Sequence, residues 1–137
     1  MIYEGSFEIE NDGETVVKYY AVDVAGNIEE RQTIVIKIDK IAPVTEAILS
    51  PCPRKYYTNP VTVTLQALDE LSGIENTFYI VDSDSTWNVY NAPFVVSRGG
   101  LHIVSFYSVD NAGNIETIKT VPFRILSYIT EPVRPSR

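Results

Sequence analysis

The chain has 137 residues and a net charge of −7, with one His and one Cys, which is enough for one ordinary domain or a small domain with an appendage. An acidic balance with no run of Lys or Arg excludes a phosphate-binding surface, and with it nucleic acid as a partner, because counterion release needs clustered cations. No stretch approaches the roughly 20 apolar residues of a membrane helix, and the first residues have neither a basic nor an apolar signal-peptide region. Membrane insertion is therefore not expected, and any export signal is expected outside this segment.

Tyr, Val, Ile and Thr are abundant and Leu is sparse, which is the composition of a strand-rich chain. In chain order, residues 1–40 read as three strands carrying Phe7, Ile9, Val17, Tyr19, Ile34, Ile36 and Ile38. A strand at 45–49 follows and ends at Pro51-Cys52-Pro53. Cys52 is the sole cysteine, so it makes no internal disulfide and reads as a loop residue that says nothing about compartment. Residues 61–68 alternate, with Val61, Val63, Leu65 and Ala67 on one face and Thr62, Thr64 and Gln66 on the other, the pattern of a half-buried strand. Further strands are predicted at 74–81, 87–90, 94–96, 101–109 and 117–126, separated by turns such as Asp69-Glu70-Leu71-Ser72-Gly73 and Asp82-Ser83-Asp84-Ser85. No window carries a helical apolar period.

About seven short strands in residues 41–126, with turn signals every 8 to 12 residues, predict an all-β fold: an immunoglobulin-like antiparallel β-sandwich. The segment "YAVDVAGNIE" from Tyr20 recurs as "YSVDNAGNIE" from Tyr107, an offset of 87 residues. At that offset Tyr3 matches Tyr90, Phe7 matches Phe94, Gly13 matches Gly100, Val17 matches Val104 and Ile38 matches Ile125, without a gap. The organisation predicted is one complete unit at 41–126, preceded at 1–40 by the C-terminal half of another and followed at 127–137 by a linker or tail. Such a chain is expected to be cut from a longer tandem array.

The two copies also separate the faces of the strand that leads into the loop. Glu14 and Lys18 match Leu101 and Ser105, so that side meets water, while Val17, Tyr19 and Ala21 match Val104, Phe106 and Ser108 and form the core face. His102, on the core face, is expected to be semi-buried and structural. Trp87 and Phe94 are expected in the core.

The pattern Y-x-V-D-x-A-G-N-I-E followed by "IDKIAPVT", together with "DELSG", "TFYIVD", "TW" and "PF" in the complete unit, resembles the bacterial and archaeal immunoglobulin-like and fibronectin-III-like repeats of exported and cell-surface proteins, including those called OmpL47-type. One departure is "DSDSTW", where the family has a shorter turn. The resemblance implies an extracellular or cell-surface module that is a spacer, an adhesive surface or an accessory domain beside catalytic ones, with the other repeats of its parent as partners.

Two accounts of the repeated loop follow. In the first, Gly26 and Gly113 supply a positive φ, and the loop's Asp accepts hydrogen bonds from nearby backbone amides. In the second, the loop lies at one end of the sandwich beside 69–73 and the inter-unit linker, and Asp39, Asp69, Asp110, Asn114 and Glu116 hold a Ca²⁺, a cation that takes six to eight oxygen ligands. Otherwise no cofactor is expected. Tyr107, with Tyr79 and Tyr90 or with Tyr56 and Tyr57, is the candidate strip for stacking on a glycan, which makes a carbohydrate-binding accessory domain the alternative function. No nucleophile–base pair, phosphate loop or metal-protease motif occurs, so no catalytic residue and no enzymatic activity are predicted. The apolar face of residues 1–40 has no matching half in the sequence, and a homodimer through these residues is expected to cover it.

Overall fold

The computed structural model describes residues 1–52 and 56–126; the expected tail at 127–137 lies outside the described residues. The chain forms two compact units, Met1–Ile41 and one that begins at Ala42. Among the described residues every regular element is a strand. Among the described residues no helix is long and apolar enough to cross a membrane.

The first unit is a two-stranded antiparallel ribbon of β1 (Gly13–Tyr19) and β2 (Gln32–Ile38), in register from Gly13 opposite Ile38 to Tyr19 opposite Gln32. Residues 1–12 form no strand, which corrects the three strands expected at 1–40. The reason lies in strand partners: these residues match 88–99, whose strands pair with β-elements that have no counterpart in the first unit.

The second unit contains β3 (Val44–Ser50), β4 (Val61–Leu68), β5 (Ile74–Val81), β6 (Asn88–Val89), β7 (Phe94–Val96), β8 (Gly100–Asp110) and β9 (Lys119–Ile125). They build a three-stranded sheet of order β3-β4-β7 and a four-stranded sheet of order β6-β5-β8-β9, and every pair is antiparallel. Seven antiparallel strands split between two sheets that share one core make an immunoglobulin-like β-sandwich.

Alternation positions the core. Along β8, His102, Val104, Phe106, Ser108 and Asp110 are buried, while Leu101 and Ile103 are exposed. The inward side chains of β8 meet Phe123 and Ile125 of β9 and, from the other sheet, Leu49, Val61, Val63, Leu65 and Val96. Burying each such side chain stabilises the fold by about 1.5–3 kcal/mol relative to leaving it exposed. Tyr57 is also buried and stitches the β3–β4 connection to β9: its N–H donates to Arg124 O at 2.9 Å and its carbonyl accepts from Leu126 N at 2.7 Å. Its ring meets Phe123 edge-on, so Tyr57 is a core residue and does not belong to an exposed aromatic strip.

Candidate functional site

The repeated loop is built the same way in both units. In the first, Asp23 N donates to Asn27 O at 2.9 Å and Gly26 N to Asp23 O at 3.0 Å; in the second, Asp110 N donates to Asn114 O at 3.1 Å and Gly113 N to Asp110 O at 3.1 Å. Gly26 and Gly113 sit at φ of 90° and 91°, a left-handed conformation that an L side chain adopts only under strain. The Asp side chains fasten the turn from inside. Asp23 accepts from Asn27 N and Asn27 Nδ2, both at 2.8 Å. Asp110 accepts from Ala112 N at 2.9 Å and from Asn114 N and Nδ2, both at 2.8 Å. These hydrogen bonds hold the Asp23 carboxyl below the usual range, led by the one from the Asn27 side chain.

Glu29 and Glu116 close the same loop from its far end. Glu29 Oε2 accepts from Ala21 N at 3.0 Å, and Glu116 Oε2 accepts from Ser108 N at 3.0 Å. In the second unit the carboxylate also reaches the other sheet, where Glu116 Oε1 accepts from Thr45 N at 2.7 Å and Oε2 from Thr45 Oγ1 at 2.6 Å. Lys119 Nζ stands 2.9 Å from Glu116 Oε1 and donates to Thr45 O at 2.8 Å. Because the Thr45 hydroxyl donates to the carboxylate, the remaining short contacts fix a direction: Ser108 Oγ donates to Thr45 Oγ1 at 2.6 Å, and Thr77 Oγ1 donates to Ser108 Oγ at 2.7 Å. A relay of three hydroxyls thus runs from β5 through β8 to β3 and ends on one buried carboxylate. Burial pushes the Glu116 carboxyl up, but the donors from Thr45, Lys119 and Ser108 outweigh it and hold the group below its ordinary range.

The loop at 69–73 meets the second copy of the repeated loop. Asp69 Oδ2 accepts from Ser72 N at 2.9 Å and Gly73 N at 2.7 Å. Gly73 O accepts from Asn111 N at 2.9 Å, and Ser72 O accepts from Asn111 Nδ2 at 2.8 Å. Of the five residues weighed for Ca²⁺, four belong to the second unit and one, Asp39, to the first. Asp69 and Asp110 bring carboxylate oxygens within 4.8 Å of each other, and Asn114 is hydrogen-bonded to Asp110. Glu116 points to Thr45, Ser108 and Lys119 instead, a departure from the expected ligand set that follows from its inward register. Asp39 belongs to the first unit, where its Oδ1 accepts from Ile41 N at 3.0 Å.

The glycan candidates also divide, by the alternation of β5. Tyr107 lies on the outer face of the four-stranded sheet, stacked on Phe78 with ring centroids 5.2 Å apart and touched edge-on by Trp87 at 4.9 Å. Tyr79 follows Phe78 in the chain and so points the other way, stacking on Phe94 with Tyr90 at its edge. Tyr79, Tyr90 and Phe94 pack against the core, so no strip joins them to Tyr107. Phe94 packs against the core as expected, whereas Trp87 belongs to the outer cluster and not to the core cluster.

His102 is 4% exposed. Its Nε2 donates to Arg98 O at 2.6 Å and its Nδ1 lies 2.9 Å from Asp82 Oδ2. Asp82, at φ 56° in the turn after β5, accepts from Ile103 N at 2.9 Å. Burial raises the Asp82 carboxyl, but the contacts with His102, Ile103 and Arg98 bring it below the ordinary range. Cys52 is exposed and unpaired with another cysteine.

Sequence inspection missed the Thr45–Ser108–Thr77 relay and the role of Lys119. The signal was present in part: Thr45 and Ser108 fall on core-face registers, where a hydroxyl demands a partner.

Comparison with solved structures gives a likeness. No protein-family model matches the chain, and no curated protein matches it. The solved structure titled "Structures of Clostridium thermocellum CbhA fibronectin(III)-like modules" is similar at a TM-score of 0.44 and 17% identity, covering 61% of this chain and 97% of that one. The sandwich is defined by the strand order and antiparallel register of its two sheets.

Proposed function

We propose that this chain is a non-catalytic, extracellular tandem module of the immunoglobulin-like, fibronectin-III-like kind, serving as a structural spacer or protein-interaction unit. The observation that carries this reading is the inward commitment of the repeated loop. Asp110, Asn114 and Glu116, the residues that first suggest chemistry, direct their hydrogen bonds at their own backbone and at the facing sheet. A turn locked in this way stiffens one end of a module. That is the mechanical requirement of a spacer.

The test is a paired measurement on Asp110→Ala. Asp110 is fully buried, and its removal leaves the amides of Ala112 and Asn114 without their acceptor. Stability is expected to fall by about 1–3 kcal/mol, read by urea unfolding at the fluorescence of Trp87, the only tryptophan. Unchanged stability would overturn the reading. The alternative, a carbohydrate-binding accessory domain, rests on the outer cluster of Phe78, Trp87 and Tyr107. Binding on a glycan array that disappears in Trp87→Ala would favour it; the expected result is no binding by either protein.

A further inference from the structure

We propose that His102 is an imidazolium that clasps two turns at one end of the second unit, and that the clasp opens when the ring gives up its second proton. The inference does not rest on the spacer reading. It goes beyond it by making one end of the module sensitive to pH.

Both ring nitrogens face oxygen atoms: Nε2 lies 2.6 Å from Arg98 O and Nδ1 lies 2.9 Å from Asp82 Oδ2. A backbone carbonyl and a carboxylate only accept, so the two contacts need two N–H donors. A neutral imidazole has one. If it donates to Arg98 O, Nδ1 is left with a lone pair aimed at a carboxylate oxygen; in the other tautomer Nε2 is left facing the carbonyl. The doubly protonated ring satisfies both contacts. A proton on Asp82 in its place is opposed by the other contacts of that carboxyl. Burial raises it, but the hydrogen bonds from His102 and Ile103 and the charges of His102 and Arg98 bring it below its ordinary value of 3.8.

The position of the ring in the fold makes that proton matter. Asp82 follows β5 directly and Arg98 lies in the connection between β7 and β8, so one side chain of β8 joins two turns. Asp82 also closes the β5–β8 ladder, with its N–H donating to Ile103 O at 2.7 Å and its Oδ1 accepting from Ile103 N at 2.9 Å. It is the one non-glycine among the described residues at positive φ, a backbone that Asp tolerates better than most residues and that its contacts hold in place. The turn it opens leads to Trp87, which packs on Tyr107. The repeated loop lies at the far end of β8, so the clasp is separate from Asp110 and Glu116. At the 87-residue offset His102 and Arg98 match Thr15 and Asn11, which confines the clasp to the second unit.

The groups that set the charge here come from each neighbouring element. The turn after β5 brings Asp82 and, two residues on, Asp84, whose N–H donates to Val81 O. The β7–β8 connection brings Arg98. On β9 the residue opposite His102 is the uncharged Phe123, its ring centroid 5.6 Å from the imidazole, flanked by Arg124 and met edge-on by Tyr57. His102 is buried while the side chain of Asp82 is 42% exposed, so the pair has a member in contact with water through which the ring's proton can leave.

The clasp therefore has two limits. The contribution of Asp82 is fully present above pH 3.8 and is lost as pH falls through its lower folded value. The contribution of the ring needs its second proton and is lost as pH rises through the ring's own titration.

The experiment is NMR on the full chain with ¹⁵N in the imidazole of its sole histidine. At about pH 5.5 both ring nitrogens are expected to carry N–H, and by about pH 8.5 one of them is expected to have lost it. With the same midpoint, protection of the Ile103 amide is expected to fall by roughly tenfold, after correction for the intrinsic rise of exchange with pH. Asp82→Asn keeps a residue suited to the left-handed backbone and presents either an amide oxygen or an NH₂ to the ring, so the Ile103 response is expected to disappear. Ile103 protection that is equal on both sides of the ring's titration overturns the proposal, as does a ring with a single N–H at the acid pH. A response that persists in Asp82→Asn also overturns it, and should that variant not fold, the two readings on the unaltered chain decide. Unchanged stability of Asp110→Ala would overturn the spacer reading while leaving these outcomes intact.

Discussion

Glu116 shows how one residue can look like a ligand and act as a tie. Its carboxylate is buried at the junction of the two sheets and accepts from Thr45, Ser108 and Lys119. Those donors lower its affinity for a proton in the fold, whereas in the unfolded chain it titrates near its ordinary value of 4.5. The unfolded state then binds the proton more readily, so the stabilisation is fully present above pH 4.5 and is lost as pH falls through the lower folded value. Glu116→Gln is expected to remove that part of the acid dependence. At neutral pH it should also lower stability by about 1–3 kcal/mol, because the new amide N–H groups face donors. Urea titrations at neutral and acid pH, read at Trp87, check both; a variant with the parent's acid profile would show that Glu116 does not carry it.

The contrast between β1 and β8 belongs to the element. β1 matches the first seven residues of β8 position for position, yet Phe106 is buried and Tyr19 is half exposed. A strand's pattern fixes which face is apolar, but the energy comes only when another layer covers that face. Phe106→Ala is accordingly expected to cost about 3–5 kcal/mol. Tyr19→Ala should cost less than about 1 kcal/mol. Urea unfolding read at Trp87 measures the first, and hydrogen exchange of the β1 amides measures the second. Equal costs would mean that the first unit already has a covering layer.

For the molecule as a whole, the question is whether a cation adds to what the chain's own bonds supply. Asp69 and Asp110 lie close together, but the amides of Ser72, Gly73, Ala112 and Asn114 aim at them. Glu116 turns away to the core, and Ca²⁺ needs six to eight oxygens. The melting temperature is expected to be the same with millimolar Ca²⁺ and with chelator. A rise on adding Ca²⁺ that disappears in Asp69→Asn would overturn this and restore the ion-stiffened junction expected from sequence.

The amino-acid sequence by itself determined what depends on local period and on repetition. Alternation in 61–68 and 101–109 located strands and their buried faces, turn residues placed the boundaries, and the 87-residue recurrence set the length of the unit. The inward position of His102 was legible for the same reason, since its register put it on the core face. What depends on side-chain reach across the sandwich was not legible. Glu116 lies six residues beyond Asp110 and joins β3, 71 residues away, and Trp87 leaves the core to pack on Tyr107. Residues 1–12 carry the sequence of strands but no strand order. Only tertiary structure decides such matters, because a carboxylate, an indole or an edge strand takes its role from the partner that the rest of the fold brings to it.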